Sequence, residues 1–174
     1  RDGRRALMDA GPGAVAALTR PAEPCWPGVV PGYRRAETSA VVGVGDEAWR
    51  RAAHGILRWG VKTESGFDVD AAGPVRAGER LVVRARVLGA TIEEPVEVVE
   101  VADAAHRVGF AYRALPGHPV RGEEAFVVHR DGERVVLTIR SLTRPAESGV
   151  WRTLYPALLV AQQVARWRYR RSLG

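Results

Sequence analysis

Hydrophobic and polar residues alternate in twos through most of the middle of the chain. Between Phe67 and Leu142 this period runs through Leu81–Leu88, Pro95–Val101, Arg107–Ala114, Glu123–Arg130 and Arg134–Leu142, which predicts strands with one face on an apolar interior. Gly or Pro clusters separate the runs: Pro74 to Gly78, Gly89, Pro116-Gly117-His118-Pro119 and Asp131-Gly132. Asp-Gly between two alternating runs predicts a tight hairpin. A weaker strand is expected over Gly66–Ala71, and another over Arg34–Val44. The period changes to helical after Gly45. Asp46 stands at an N-cap position, Trp49, Ala52, Ala53 and Ile56 form one stripe, and Gly60 marks the stop. A long helix is expected over Thr153–Leu173. Pro156 falls in its first turn, Leu154, Leu158, Ala161, Ala165 and Trp167 lie on its apolar face, and Arg166, Arg168, Arg170 and Arg171 lie near its end.

Residues 1–32 carry little period. Ala14–Leu18 has room for one helical turn, and Pro21, Pro24, Pro27 and Pro31 then forbid regular structure. This segment is expected to be an arm lying on a single domain, 33–174, with Cys25 and Trp26 as its anchor. A sheet with one apolar face needs a cover, and the C-terminal helix is the only element long enough. The expected fold is therefore α+β, a curved antiparallel sheet wrapped around that helix with a cavity between them.

Composition narrows the function classes. The 174 residues hold 26 Lys+Arg against 20 Asp+Glu, a net charge of +6, and Lys62 is the only lysine. An arginine-rich chain without asparagine points to coding bias from a GC-rich genome, so basicity is a weak argument for nucleic acid, and no nucleic-acid partner is expected. Hydrophobic content of 46% and charged content of 26% exclude disorder. One cysteine excludes an internal disulfide framework. No apolar run reaches the ~20 residues of a membrane span, and no secretory segment opens the chain, so a cytoplasmic protein without membrane insertion is expected. His54, His106, His118 and His129 lack metal-ligand spacing. Gly43-Val44-Gly45 is too short for a dinucleotide loop, and no phosphate loop or nucleophile elbow is present. No metal and no cofactor are expected, and the oligomeric state is left open.

Gly109-Phe110-Ala111-Tyr112, Leu115-Pro116-Gly117-His118-Pro119 and Gly122-Glu123-Glu124-Ala125-Phe126 together resemble the signature of the domain of unknown function 1990 family, also called uncharacterised protein family 0548. The resemblance extends to Pro31-Gly32-Tyr33, Gly45-Asp46, Arg58-Trp59 and Arg144-Pro145, and covers the chain from about residue 18 to its end. It implies a small domain and a fold similar to the helix-grip ligand binders of the pollen-allergen and lipid-transfer type (START and Bet v 1-like). The chain departs from the family pattern at Arg20, Arg113-Ala114 and Val120, which implies a specialised member, with natural-product biosynthesis as the expected setting.

Alternation along the strands sorts the candidate chemistry. Glu124, Phe126 and Val128 share the apolar face; Glu123, Ala125, Val127 and His129 share the other. Glu124 is then an acid at the mouth of an apolar cavity, suited to acid–base work. The commoner alternative is a glutamate paired with an arginine that holds a loop. His118, fixed between two prolines, is a candidate partner for Glu124, or a turn histidine bonded to its own loop. Phe110, Tyr112, Phe126 and Ile139 are the expected cavity wall. Tyr33, Trp59 and Arg140 join His118 and Glu124 as expected polar contacts. Arg140 sits among apolar neighbours and needs a carboxylate, Glu123 or Glu124, or a ligand anion. Two functions fit: binding of a small hydrophobic molecule, or a cofactor-independent cyclase, lyase or isomerase with Glu124, His118 and Tyr112 as catalytic groups. A nucleic-acid or membrane-surface role for the arginine-rich tail ranks below both.

Overall fold

A computed structural model describes residues 16–87, 89–169 and 173. Seven strands form one antiparallel sheet in the order β1-β7-β6-β5-β4-β3-β2. They are β1 (Arg34–Val44), β2 (Phe67–Val69), β3 (Arg80–Val87), β4 (Ala90–Ala104), β5 (Arg107–Ala114), β6 (Val120–Asp131) and β7 (Arg134–Pro145). From β3 to β7 each strand pairs with its predecessor, and β1 closes the far edge on β7. The hairpin predicted at Asp131-Gly132 joins β6 to β7, with Gly132 at φ +58°.

The sheet curls around its apolar face. Val96 and Val98 of β4, Phe110 of β5, Phe126 and Val128 of β6 and Leu137 and Ile139 of β7 are all buried there. Helix α1 (Gly45–Ile56) closes one end of the curl with Ala48, Trp49, Ala52 and Ile56. Asp46 is not the N-cap; Val44 is, and Asp46 instead pairs with Arg130 of β6 at 2.6 Å.

Gly60 does not end the helical region. It opens a second, four-residue helix, α2 (Gly60–Thr63). Trp59, at φ 63°, bends the chain between the two helices. A Cβ at Gly60 would lie 2.7 Å from the Gly55 carbonyl, so only glycine permits this close reversal. The bend turns Lys62 towards the concave face.

The C-terminal helix is split. A short α3 (Val150–Thr153) precedes α4 (Tyr155–Tyr169), with Pro156 in the first turn of α4 as expected. Leu154 and Trp167, expected on the inner face, are 43% and 47% exposed, and the predicted Arg170 and Arg171 lie outside the described residues. The helix is held mainly through Tyr169, which is 2% exposed and meets Phe126 edge-on at 5.2 Å.

The arm, described from residue 16, lies on the convex face. Its anchor is Trp26, 6% exposed, whose indole N–H donates to the Leu18 carbonyl at 2.9 Å under the Arg35 guanidinium. Cys25 is exposed and takes no part. Sheet side chains fasten the arm's backbone. Glu123 accepts from the Leu18 and Thr19 amides at 3.1 and 2.7 Å and from the Thr19 hydroxyl. Glu100 accepts from the Ala17 amide, and Arg107 donates to the Pro21 carbonyl. Arg140, 1% exposed, donates to the carbonyls of Thr19, Arg20, Glu23 and Pro24 and to Glu37. The expected pairing of Arg140 with Glu123 or Glu124 is therefore corrected: strand alternation sends Arg140 to the convex face, where the nearer acceptors are the arm's carbonyls.

Candidate functional site

Between the concave face and α4 lies a cavity of about 430 Å³. Facing positions carry small side chains (Ala85 and Ala114 on the sheet, Ala161 and Ala165 on α4, and Gly66 below), so the walls do not meet. Leu158 and Val164 of α4 and Ile92 of β4 add apolar surface.

One end of the cavity is polar. Tyr112 and Glu124 are cross-strand neighbours on β5 and β6, and Tyr112 Oη donates to Glu124 Oε2 at 2.5 Å. Lys62 Nζ reaches the same carboxylate oxygen at 3.3 Å and donates to Tyr169 Oη at 2.8 Å. The ammonium is enclosed by the rings of Phe67, Tyr112, Tyr169 and Phe126 at 4.7 to 5.5 Å. Burial opposes its charge. The oxygens of Tyr112, Tyr169, Glu124 and Glu94 outweigh burial and hold the lysine well above its ordinary pKa. Burial, reinforced by the Glu124 charge, pushes the Tyr112 phenol well up, and burial raises Tyr169 too. Both tyrosines are therefore neutral hydrogen-bonding groups at physiological pH.

His118 lines the cavity from the loop after β5. Its Nδ1 accepts the Val120 amide at 3.1 Å, which leaves Nε2 to carry the ring proton. Burial and the Lys62 charge push its pKa down to about 4. His118 is thus a neutral donor, with the lone pair a base would need already engaged by its own loop.

Glu94 completes the polar set from β4. Burial raises its pKa, the Glu124 charge adds to this, and the Lys62 charge works against it.

The structure brings three of the sequence-predicted residues, Tyr112, His118 and Glu124, to the cavity. Phe110, Phe126 and Ile139 lie beneath it in the core, at most 1% exposed. Trp59 is buried behind them, with its ring 4.6 Å from Phe110 and its indole N–H without a partner among the described residues. Tyr33 and Arg140 are on the convex face, away from the cavity. Tyr33 there lies under the Arg144 guanidinium at 4.7 Å. Lys62, Glu94 and Tyr169 were not among the predicted residues. The signal for Lys62 was present: a lone lysine in a chain that otherwise uses arginine. Among the described residues no group of His, Cys, Asp and Glu is placed to hold a metal, and no helix is long and apolar enough to cross a membrane.

Residues 15–172 match the family described as Domain of unknown function (DUF1990). The chain belongs to the DUF1990 family. Among curated proteins none matches this DUF1990 chain. Its fold recurs in solved structures of low identity, those of the helix-grip, Bet v 1-like type. A hypothetical protein from Helicobacter pylori is 13% identical with a TM-score of 0.53, covering 78% of this chain and 85% of its own. Ara h 8.0201 is 10% identical with a TM-score of 0.52, covering 79% and 96%. The Zhui aromatase/cyclase of a Streptomyces is 19% identical with a TM-score of 0.51, covering 79% and 91%. At these identities the likeness establishes the fold of this DUF1990 domain.

Proposed function

We propose that this protein binds a small, mostly apolar molecule in the cavity between the sheet and α4. The observation that carries the reading is the cavity itself: about 430 Å³, walled by alanine, leucine and valine side chains, with its polar groups gathered at one end. That is the composition of a small-molecule site, where apolar surface supplies affinity and a few fixed polar groups supply orientation. Mass spectrometry of an organic extract of the purified protein tests it, together with titration of a fluorescent apolar probe. Ala161→Phe fills the cavity from α4 and should abolish probe binding while leaving the circular dichroism spectrum unchanged. Undiminished binding by that variant would place the ligand elsewhere.

A second reading, a cofactor-independent cyclase, lyase or isomerase, draws support from the acid–base groups on the cavity wall. An aromatase/cyclase also shares the fold. Glu124→Gln separates the two readings: a binder keeps most of its affinity, whereas an enzyme using that acid keeps binding and loses turnover. Because Glu124 is bonded to both Lys62 and Tyr112, its first role here is to hold these two groups in place.

A further inference from the structure

The polar groups of the cavity differ in how fully they are used. Lys62 is spent on Glu124 and Tyr169, Tyr112 on Glu124, and the acceptor nitrogen of His118 on its own loop. Glu94 has no hydrogen bond or ion pair among the described residues, although it lines the same cavity. Its position follows from the sheet register. Glu94 pairs with Val83 on β3, while β5 ends at Ala114, opposite Val96. Glu94 therefore lies two residues beyond the last β4–β5 pair, with no β5 side chain beside it. Arg86 and Arg168 also line the cavity but are exposed, so their charges stay hydrated at the rim.

We propose that Glu94 is the cavity's ligand-reading group, donating a hydrogen bond from its carboxyl O–H to a carbonyl oxygen of an uncharged apolar ligand. The inference rests on the cavity being the ligand site. The lysine charge is already balanced by Glu124, so a charged ligand would enter without a counterion and keep its desolvation cost. An uncharged ligand with a carbonyl oxygen meets a free donor in the Glu94 O–H, and that oxygen has the lone pairs to accept from it. The raised pKa of Glu94 keeps it a donor above the ordinary carboxylate range. Of the groups around it, Lys62, Tyr112 and Tyr169 titrate far higher and His118 near 4. Glu124 also faces the site, and the Glu94 variants show which carboxyl the preference follows.

The experiment is competition against a bound fluorescent naphthalene probe by three matched compounds: 2-ethylnaphthalene, 2-acetylnaphthalene and 2-naphthoate. Wild type, Glu94→Gln and Glu94→Leu are compared from pH 5 to pH 9. The ketone should outcompete the hydrocarbon by about tenfold in wild type, the worth of one hydrogen bond. That preference should fade as pH rises, become independent of pH in Glu94→Gln, and vanish in Glu94→Leu. A ketone preference that survives Glu94→Leu, or a preference for naphthoate, overturns the assignment of Glu94 and leaves the cavity reading intact. Failure of wild type to bind the probe or any of the three compounds overturns both.

Discussion

On the convex face Arg140 and Glu123 are enclosed by backbone. On the concave face Lys62 and Glu124 are enclosed by side chains and border a cavity. The two sites use similar groups, a buried cation and a carboxylate on a central strand. Arg140 meets four carbonyls and Glu37, and Glu123 meets two amides and a hydroxyl, so every strong bond is internal. A charge saturated in this way fastens two segments and offers a ligand nothing. Lys62 and Glu124 saturate each other instead, and this fixes a rigid polar wall with Glu94 and His118 beside it. Buried charge alone therefore does not distinguish a clamp from a site; the presence of empty space beside it does.

The comparison can be broken most forcefully at Arg140. Arg140→Met strands four carbonyls and Glu37, and should cost about 3–5 kcal/mol of unfolding free energy in a urea titration. Hydrogen exchange at residues 17–26 should accelerate, while probe affinity in the cavity should change little. An arm that stays protected would mean that the clamp lies elsewhere. Next in size is Lys62→Met, which leaves the Glu124 carboxylate with only Tyr112 and should cost about 2–4 kcal/mol. Pairing it with Glu124→Leu should recover much of the loss, and a double-mutant cycle measures the coupling.

His118 gives a smaller, pH-dependent effect. Its folded pKa of about 4 lies below the ordinary 6.5, so the unfolded chain binds more protons between those values. The stability that His118 contributes is complete above pH 6.5 and is lost as pH falls through 4. The difference is roughly 2 kcal/mol for a partly exposed ring. His118→Gln should remove that slope from a pH series of unfolding curves. The smallest effect is expected at Tyr33. Tyr33→Ala removes its stacking with Arg144 and should cost about 0.5–1 kcal/mol, with no change in cavity binding.

Most of the sheet was legible because strand alternation is a local signal. The face shared by Glu124, Phe126 and Val128, and the split between Phe110 with Tyr112 and Ala111 with Arg113, follow from period two alone. What was not legible depended on close approach and on neighbouring strands. Gly60 resembles a helix stop, and only its contact with the Gly55 carbonyl makes it the start of α2 and brings Lys62 inward. Pro95 resembles a strand start, which hid Glu94. In the sheet its carbonyl faces the end of β5 and accepts the Leu115 amide at 2.9 Å. Its missing N–H falls on that same side, so β4 pairs with β3 straight through the proline. Alternation groups Arg140 with Thr138 and Leu142, but the expectation that it reaches the cavity fails because its partners belong to an arm with no period to read.

The adjacent carboxylates Glu123 and Glu124 have a consequence for how β6 finds its register. A one-residue slip of a strand exchanges its two faces, and the cost of that exchange normally selects the correct pairing. With glutamate at both positions, a slip of β6 in either direction would still offer one carboxylate, to the arm or to Lys62, so charge discriminates only in part between the alignments. The residues on either side break the tie. Ala125 packs in a small cluster with Ala17 and Ala111, where a slip would insert Phe126 or Glu124. At Gly122 any Cβ would come within 1.8 Å of the Leu142 carbonyl oxygen, which excludes both Arg121 and Glu123 from that place. The smallest side chains of β6 thus act as its proofreading elements, and enlarging either would penalise the correct alignment directly and remove its advantage over a slipped one.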